Sequence, residues 1–344
     1  MSDKSEIRFL PVGSRRVAYE VRGSGPVLVA PAWWVSHLEL DWQSQSVRRF
    51  WEGVAEDHTL IRYDRLGVGM SDRTVHESDL TLDGELGTLG ALLDELDLDR
   101  VSLIGGSSGS CTAVAFAAAY PERVERLVLY GSYPNGDALT APGVADAIVG
   151  AVQAHWGLGS RVLSDLFLGG ADAAEHESFA RVQRESATAE TAAALLRLVY
   201  RLDVRACLPL ISRPTLVVHR RDDRAVPYQL GREVAAAIPG ATFVPLQGSS
   251  HFPWHGDVDS VARACRQALA PQHQAPATVD TVGLSSRERE ILACVARGLG
   301  DREIAEQLML SPHTVHRHIA NIRRKLGRTS RTAAVAEAAR LGLL

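Results

Sequence analysis

The sequence predicts an α/β domain with a doubly wound, mostly parallel sheet, followed by a small all-α domain. Up to about residue 270, short β-prone runs alternate with longer helical patterns, which is typical of strands covered by helices on both faces. From residue 281 only short helical patterns remain. Residues 281–344 carry eleven Arg and Lys against six Asp and Glu, net +5, so the rest of the chain, whose total is −4, carries −9. A basic segment beside an acidic one indicates a separate nucleic-acid-binding domain.

Composition and cysteine spacing exclude several classes of protein. With 46% hydrophobic and 23% charged residues, the chain has enough apolar side chains for a large core. We find no apolar signal region and no run of roughly 18 apolar residues, so we expect a cytoplasmic protein without a membrane span. Four widely spaced cysteines favour reduced thiols over a disulfide framework: Cys111, Cys207, Cys265 and Cys294.

The first domain is expected to begin with two antiparallel strands and to continue with parallel ones. Strands are predicted at 17–21, 27–30, 60–63, 101–104, 127–130, 216–219 and 243–246. Helices are predicted at 47–55, 82–96, 111–120, 229–238 and 258–269. The helical insertion at 135–209 follows a strand, so we expect it to form a lid above the carboxyl ends of the strands. Residues 271–280, polar and proline-bearing, are expected to link domain 1–270 to domain 281–344.

One strand, tight turn and helix carry a candidate nucleophile. The strand at 101–104 leads into Gly105-Gly106-Ser107-Ser108-Gly109, and an alanine-rich helix follows. A strained serine with small residues two positions on either side is typical of a nucleophile elbow. Ser107 is the better candidate, with Ser108 as an alternative, and an ordinary Gly/Ser-rich turn is the alternative to both.

A serine nucleophile needs a base, and the base needs a group that orients it. Asp223, with Asp222 as an alternative, follows the strand at 216–219, and His251 follows the strand at 243–246. The order Ser, Asp, His on strand-end loops predicts a catalytic triad of Ser107, Asp223 and His251.

On these motifs residues 7–270 resemble an α/β-hydrolase. Asp64-Arg65-Leu66-Gly67-Val68-Gly69-Met70-Ser71 is similar to a turn of that family, with Leu66 where the family has arginine. The resemblance implies the same triad and an oxyanion hole from the backbone N–H groups of Ser108 and Trp33. Pro31-Ala32 replaces the family's His-Gly, and alanine narrows the conformations by which the loop aims the Trp33 N–H. Losing one such donor costs on the order of 10²–10³ in rate. We also expect Trp33, Trp34 and Trp254 to line an apolar ligand pocket around Ser107, although core packing is the alternative for each.

The C-terminal residues predict four short helices. Ser285 and Glu288 form a candidate capping box at the start of the first helix, and Asp301 is a candidate cap of the second. The third helix is expected to begin at Ser311-Pro312 and the fourth at Ser330. On the third helix Val315, Ile319, Ile322 and Leu326 share an apolar face. The opposite side carries His313, His316, Arg317, Ala320, Arg323 and Arg324. This arrangement is typical of a helix-turn-helix whose basic face enters a major groove.

Residues 284–331 closely resemble a LuxR-type helix-turn-helix, in motifs such as Gly298-Leu-Gly-Asp-Arg-Glu-Ile-Ala and Ser311-Pro-His-Thr-Val-His-Arg-His-Ile. The resemblance implies binding to double-stranded DNA and a homodimer formed through the last helix. It implies base contacts from His316, Arg317 and Ala320, and phosphate contacts near Thr314 and Lys325. Arg324, on the basic face, is a further candidate for contact with DNA. Gly300 and Ala320 replace polar residues that are common in the family. His313, His316 and His318 do not share one direction, so we expect neither a metal nor another cofactor.

These features together predict a transcriptional regulator. Its α/β-hydrolase-like domain is expected to sense a small apolar ester- or lactone-like ligand, which it binds and, if the triad is active, hydrolyses. One alternative is a serine esterase whose C-terminal domain only localises it. Another is a receptor of the same fold in which Ser107 contacts the ligand without turnover.

Overall fold

A computed structural model describes residues 6–141, 143–270, 284, 286–308, 310 and 312–340. The chain divides after Pro271 into two compact units, each with its own apolar core. The proposed linker at 271–280 and the residues Ser285 and Ser311 lie outside the described residues. In the described part of the chain, no helix is long and apolar enough to cross a membrane.

The first unit is built on one twisted sheet of eight strands in the order β1-β2-β4-β3-β5-β6-β7-β8. β2 pairs antiparallel with β1 and β4, and every other neighbouring pair is parallel. The mostly parallel sheet expected from the sequence is therefore confirmed. Its strands are β1 (Arg8–Val12), β2 (Arg15–Gly23), β3 (Val27–Ala30), β4 (Thr59–Tyr63), β5 (Val101–Gly106), β6 (Val124–Tyr130), β7 (Thr215–Arg220) and β8 (Thr242–Leu246).

Helices separate the parallel strands and cover the sheet. Outside the insertion they are α1 (Leu38–Gln43), α2 (Gln45–Val54), α3 (Leu82–Glu95), α4 (Ser108–Ala119), α9 (Tyr228–Ala237) and α10 (Val258–Leu269). Between β6 and β7 the insertion supplies α5 (Val144–Ala154), α6 (Trp156–Phe167), α7 (Ala173–Ser186) and α8 (Ala189–Arg201). β5 is buried along its whole length because helices lie on both sides, which explains its continuous apolar sequence.

The second unit consists of short helices around a small apolar core. They are α11 (Ser286–Ala296), α12 (Asp301–Leu308), α13 (Pro312–Lys325) and α14 (Arg331–Arg340). The four apolar residues predicted for the inner face of α13 are all buried: Val315, Ile319, Ile322 and Leu326. α13 ends before Gly327, whose φ is 64°, and the Ser330 hydroxyl caps α14 by accepting from the Ala333 amide at 3.1 Å. Asp301 is the first residue of α12 rather than its cap, a position taken by Gly300.

Candidate functional site

Ser107 lies in a sharp turn between a buried strand and a buried helix. β5 ends at Gly106 and α4 begins at Ser108, and Ser107 between them has φ 52° and ψ −126°. Such a left-handed φ is strained for a residue with a side chain, and among the described non-glycine residues only Asp97 shares it. The Ser107 amide donates to the carbonyl oxygen of Tyr130 at 2.9 Å, which ties the turn to β6. The strand, turn and helix predicted around Ser107 are therefore present.

The small residues of the turn leave no room for side chains. A Cβ on Gly105 would lie 2.6 Å from the Gly109 carbonyl oxygen, and a Cβ on Gly109 would lie 2.8 Å from Cδ1 of Trp33. Ser108, the alternative nucleophile, begins the helix, and its hydroxyl donates to the Trp33 carbonyl oxygen at 3.3 Å. The strained turn position thus belongs to Ser107, whereas Ser108 is bound to the neighbouring loop.

Asp223 and His251 form a buried hydrogen-bonded pair on the loops after β7 and β8. His251 Nδ1 lies 2.8 Å from Asp223 Oδ2, and Asp223 Oδ1 accepts from the amides of Ala225 at 2.9 Å and Val226 at 3.1 Å. Burial would raise the pKa of the Asp223 carboxyl, but the charge of His251 and these hydrogen bonds lower it below the ordinary value. Asp222 is exposed, and its amide donates to the Gly248 carbonyl oxygen at 3.2 Å. Of the two aspartates, only Asp223 contacts the histidine.

The structure brings Ser107 and His251 to one small cavity, here called the serine cavity. Its volume is about 40 Å³, far below the roughly 300–1,000 Å³ of ordinary small-molecule pockets. Trp34 lines it as predicted, and the Trp34 Nε1 donates to Gln183 Oε1 on α7 at 3.0 Å. The insertion supplies most of the remaining apolar wall, through Leu139, Leu163, Leu166, Phe167, Leu196, Val199 and Tyr200. The insertion therefore packs directly beside Ser107.

The loop after β3 brings Trp33, one predicted oxyanion donor, against Ser108, the other. A buried Arg65 guanidinium anchors this loop by donating to the carbonyl oxygens of Ala32 and Trp33. Arg65 is itself paired with Glu85 at 3.4 Å. The loop that contains Ala32 is thus held in place by the hydrogen bonds from Arg65 to its carbonyl oxygens.

Two of the three predicted pocket tryptophans lie elsewhere. The rings of Trp33 and Trp254 stack with centroids 5.4 Å apart and line a second, larger cavity, not the serine cavity. The ring of Trp33 lies over Gly106 and Gly109, where the absence of Cβ atoms gives it space. The prediction that the side chains of Trp33 and Trp254 line the pocket at Ser107 is therefore wrong.

Two buried residues of the site had no signal in the sequence. The Arg220 guanidinium, at the end of β7, donates to the carbonyl oxygens of Ser250 at 3.2 Å, Phe252 at 3.2 Å, Pro253 at 3.4 Å and, in addition, His255. It thereby holds the loop that carries His251. His219 Nε2 lies 3.0 Å from the Val226 carbonyl oxygen and 3.6 Å from Asp223 Oδ2, and burial lowers the pKa of its imidazole.

On α13 the structure exposes His316, Arg317, Ala320 and Arg324, and leaves Thr314 half-buried. Arg323, expected on the same face, is half-buried and donates to the Thr329 carbonyl oxygen, because it lies beside the turn that ends the helix. His316 Nδ1 lies 3.5 Å from Asp301 Oδ2 on α12. An exposed face with two arginines and a histidine remains available for contact with phosphates and bases.

Lys325 is engaged within the second unit. Its Nζ lies 2.7 Å from Oε2 of Glu288 on α11, a carboxylate whose side chain is only 5% exposed. A lysine expected to meet DNA phosphates therefore also joins α13 to α11.

Comparisons with known proteins agree with both units. The family described as alpha/beta hydrolase fold matches residues 43–255, and the family described as bacterial regulatory proteins, luxR family, matches residues 282–338. A 2-hydroxy-6-oxononadienedioate/2-hydroxy-6-oxononatrienedioate hydrolase of Cupriavidus pinatubonensis is 32% identical over 58% of this chain and 72% of its own. A 2-hydroxymuconate semialdehyde hydrolase of a Pseudomonas species is 30% identical over 64% of this chain and 75% of its own.

A solved structure shares the fold of the first unit. The enol-lactonase from Burkholderia xenovorans, at 23% identity, covers 77% of this chain and 100% of its own with a TM-score of 0.65. The sheet order, the Ser107 turn and the two family matches lead to one conclusion: the chain belongs to the alpha/beta hydrolase fold family and ends in a DNA-binding domain of the bacterial regulatory luxR family.

Proposed function

We propose that this protein is a transcriptional regulator whose hydrolase-fold unit senses a small apolar ester or lactone at Ser107 and hydrolyses it. The observation that carries the proposal is the buried Asp223–His251 pair beside the strained Ser107, in a chain that also holds a luxR-family domain. The relatives support hydrolysis as the reaction, since two of them are named hydrolases of small molecules, 2-hydroxymuconate semialdehyde among these.

In the proposed reaction each group has a separate role. Because Nδ1 of His251 is bound to Asp223, Nε2 is left to accept the proton of the Ser107 hydroxyl. The serine oxygen then attacks the ester carbonyl carbon, and the N–H groups of Trp33 and Ser108 stabilise the negative charge on the carbonyl oxygen. The ester C–O bond breaks, and the leaving alkoxide takes the proton from His251. His251 then deprotonates a water molecule, whose oxygen attacks the acyl carbonyl carbon. The bond between the acyl group and Ser107 breaks, the acid is released, and the Ser107 oxygen takes the proton back from His251.

Access to Ser107 requires movement of the insertion. The serine cavity, at about 40 Å³, is smaller than any ester with several carbon atoms. Most of its apolar wall comes from α6 and α8 of the insertion. A bound ligand would therefore hold the insertion in a different position from that of the empty protein. Such a two-state element is what a ligand needs in order to change the affinity of the protein for DNA.

Labelling with a serine-reactive alkyl fluorophosphonate tests whether Ser107 is an activated nucleophile. We expect one label per chain, its loss in Ser107→Ala, and its retention in Ser108→Ala, which keeps the backbone N–H. Mass spectrometry of the digested protein locates the label. Labelling at Ser108 would transfer the role to the alternative serine, and no labelling would leave a receptor without turnover. Labelling without any binding to DNA would favour a serine esterase.

A further inference from the structure

An aromatic-walled cavity beside the insertion is separate from Ser107. This aromatic cavity lies between the loop after β3, α1, α2, α7 and the loop after His251, and has a volume of about 350 Å³. Its volume falls within the usual range for small-molecule sites, whereas that of the serine cavity does not. Neither Ser107 nor His251 is among the residues that line it. It therefore offers a second place for a ligand, independent of the proposed hydrolysis.

Aromatic rings form much of its wall. The ring centroid of Trp33 lies 5.4 Å from that of Trp254 and 5.6 Å from that of Trp51. Phe252 continues the stack, 4.9 Å from Trp254, and Phe179 contributes from α7. The faces of such rings carry partial negative charge and attract cations, most strongly those of tryptophan.

The charges around the aromatic cavity are mainly negative. Asp172 and Glu175 are exposed at its edge, where α7 begins, and Asp41 lies deeper. The one guanidinium in its wall, Arg62, is already bound by Glu20 at 2.8 Å and Asp41 at 3.1 Å. The carboxylates of Asp172 and Glu175 at the edge thus remain in excess of the one guanidinium in the wall.

His255 does not reverse this balance. It lines the cavity, with Nδ1 3.5 Å from Oε1 of Glu175. Burial lowers the pKa of its imidazole, which keeps the ring neutral at neutral pH.

Aromatic walls and acidic residues at the edge together describe one class of ligand, a cation that carries a ring.

We propose that the aromatic cavity is a binding site for a protonated aromatic amine. The ring packs against the tryptophans, and the ammonium group lies toward Asp172 and Glu175. Trp33 connects this site to the serine cavity, since its ring lines one and its carbonyl oxygen contacts Ser108 at the other.

Calorimetric titration of the full-length protein at pH 7.5 with tyramine tests this site. 4-Propylphenol, which has the same ring and hydroxyl but no charge, should bind at least about tenfold more weakly if the cation is recognised. Glu175→Gln should weaken tyramine binding about three- to fivefold, as expected for a partly exposed carboxylate. Glu185→Gln, on the same helix but outside the cavity, makes the same charge change and should leave the affinity unaltered.

Two further variants locate the amine. Ser178→Trp, at an exposed lining position of α7, should block the cavity and abolish binding. Ser107→Ala should leave the affinity for tyramine unchanged, and a loss there would place the amine in the serine cavity. Failure of tyramine to bind at millimolar concentration, equal affinity for 4-propylphenol, or normal binding by Ser178→Trp would each overturn the proposal. Fluorophosphonate labelling of Ser107 is unaffected by any of these results, so this site and the proposed function fail separately.

Discussion

At the scale of single residues, one hydrogen bond distinguishes two adjacent aspartates. Asp223 is buried and bonded to His251, whereas Asp222 is exposed and contributes a backbone amide. We expect Asp223→Asn to slow fluorophosphonate labelling of Ser107 by orders of magnitude, because the amide favours the wrong tautomer of His251. Asp222→Asn removes the same charge and should change the rate less than about twofold. Equal losses in the two variants, measured by intact-protein mass spectrometry over time, would contradict the assignment of Asp223.

Arg220 holds the histidine loop through backbone carbonyls alone among the contacts described for it. Arg220→Met would leave these buried carbonyls without their donor, so we expect the free energy of unfolding to fall by about 2–4 kcal/mol. Arg220→Lys keeps the charge but not the forked donor geometry, so its free energy of unfolding should lie between those of Arg220→Met and the native protein. Urea denaturation gives the values.

The neighbouring Arg221 provides the control. It is exposed, with its guanidinium 5.3 Å from the ring centroid of Tyr228, so Arg221→Met should stay within about 0.5 kcal/mol of the native protein. A native-like stability of Arg220→Met would show that the loop around His251 is held by other contacts.

At the scale of elements, helix α13 places two basic residues that are adjacent in sequence in different surroundings. Arg324 is exposed, whereas Lys325 is paired with the buried Glu288. Arg324→Ala should weaken binding to all DNA sequences alike and reduce the slope of log K against log salt by about one, without changing stability. Lys325→Ala should in addition destabilise the second unit by about 1–2 kcal/mol, because a buried carboxylate loses a partner.

Lys325→Arg is the matched control, since it preserves the charge and the pairing. Binding measured by fluorescence anisotropy at several salt concentrations, together with thermal unfolding, separates the two effects. A Lys325→Ala of unchanged stability would show that the pair with Glu288 contributes nothing to the fold. A destabilised Arg324→Ala would show that the Arg324 side chain also stabilises the second unit.

Local sequence predicted the elements best where one physical cause dominated. The turn at Ser107 was predictable because the fixed spacing of Gly105 and Gly109 reflects contacts that exclude a Cβ. β1 was not, since it is an edge strand in which only Leu10 is buried, and its burial follows no clear alternation. The role of Arg220 could not be predicted for another reason. A basic residue after a strand is usually solvated, and only the tertiary fold brings the carbonyls of residues 250–255 around it.

The pocket residues show the same limit. Of the adjacent tryptophans on the loop after β3, Trp34 lines the serine cavity as expected, whereas Trp33 lines the aromatic cavity. Which cavity each ring reaches depends on α2, α7 and the loop at 252–255, elements distant in sequence from Trp33. Local sequence could therefore predict that Ser107, Asp223 and His251 lie on loops at the ends of strands, but not the division of the surrounding space into two cavities.

At the scale of the whole molecule, the central claim is that occupancy of Ser107 alters the affinity for DNA. Alkyl fluorophosphonate fills the serine cavity covalently, so it replaces the unidentified ligand, and a duplex enriched from a random pool by the full-length protein replaces the operator. Coupling between two sites is typically about 1–3 kcal/mol, or about 5–150-fold in affinity. The decisive measurement is the affinity of the full-length protein for this duplex before and after complete labelling, with Ser107→Ala treated in the same way. We predict a change of at least about fivefold in the native protein and none in Ser107→Ala. Equal affinities of labelled and unlabelled native protein would show that the hydrolase-fold unit is not the sensor.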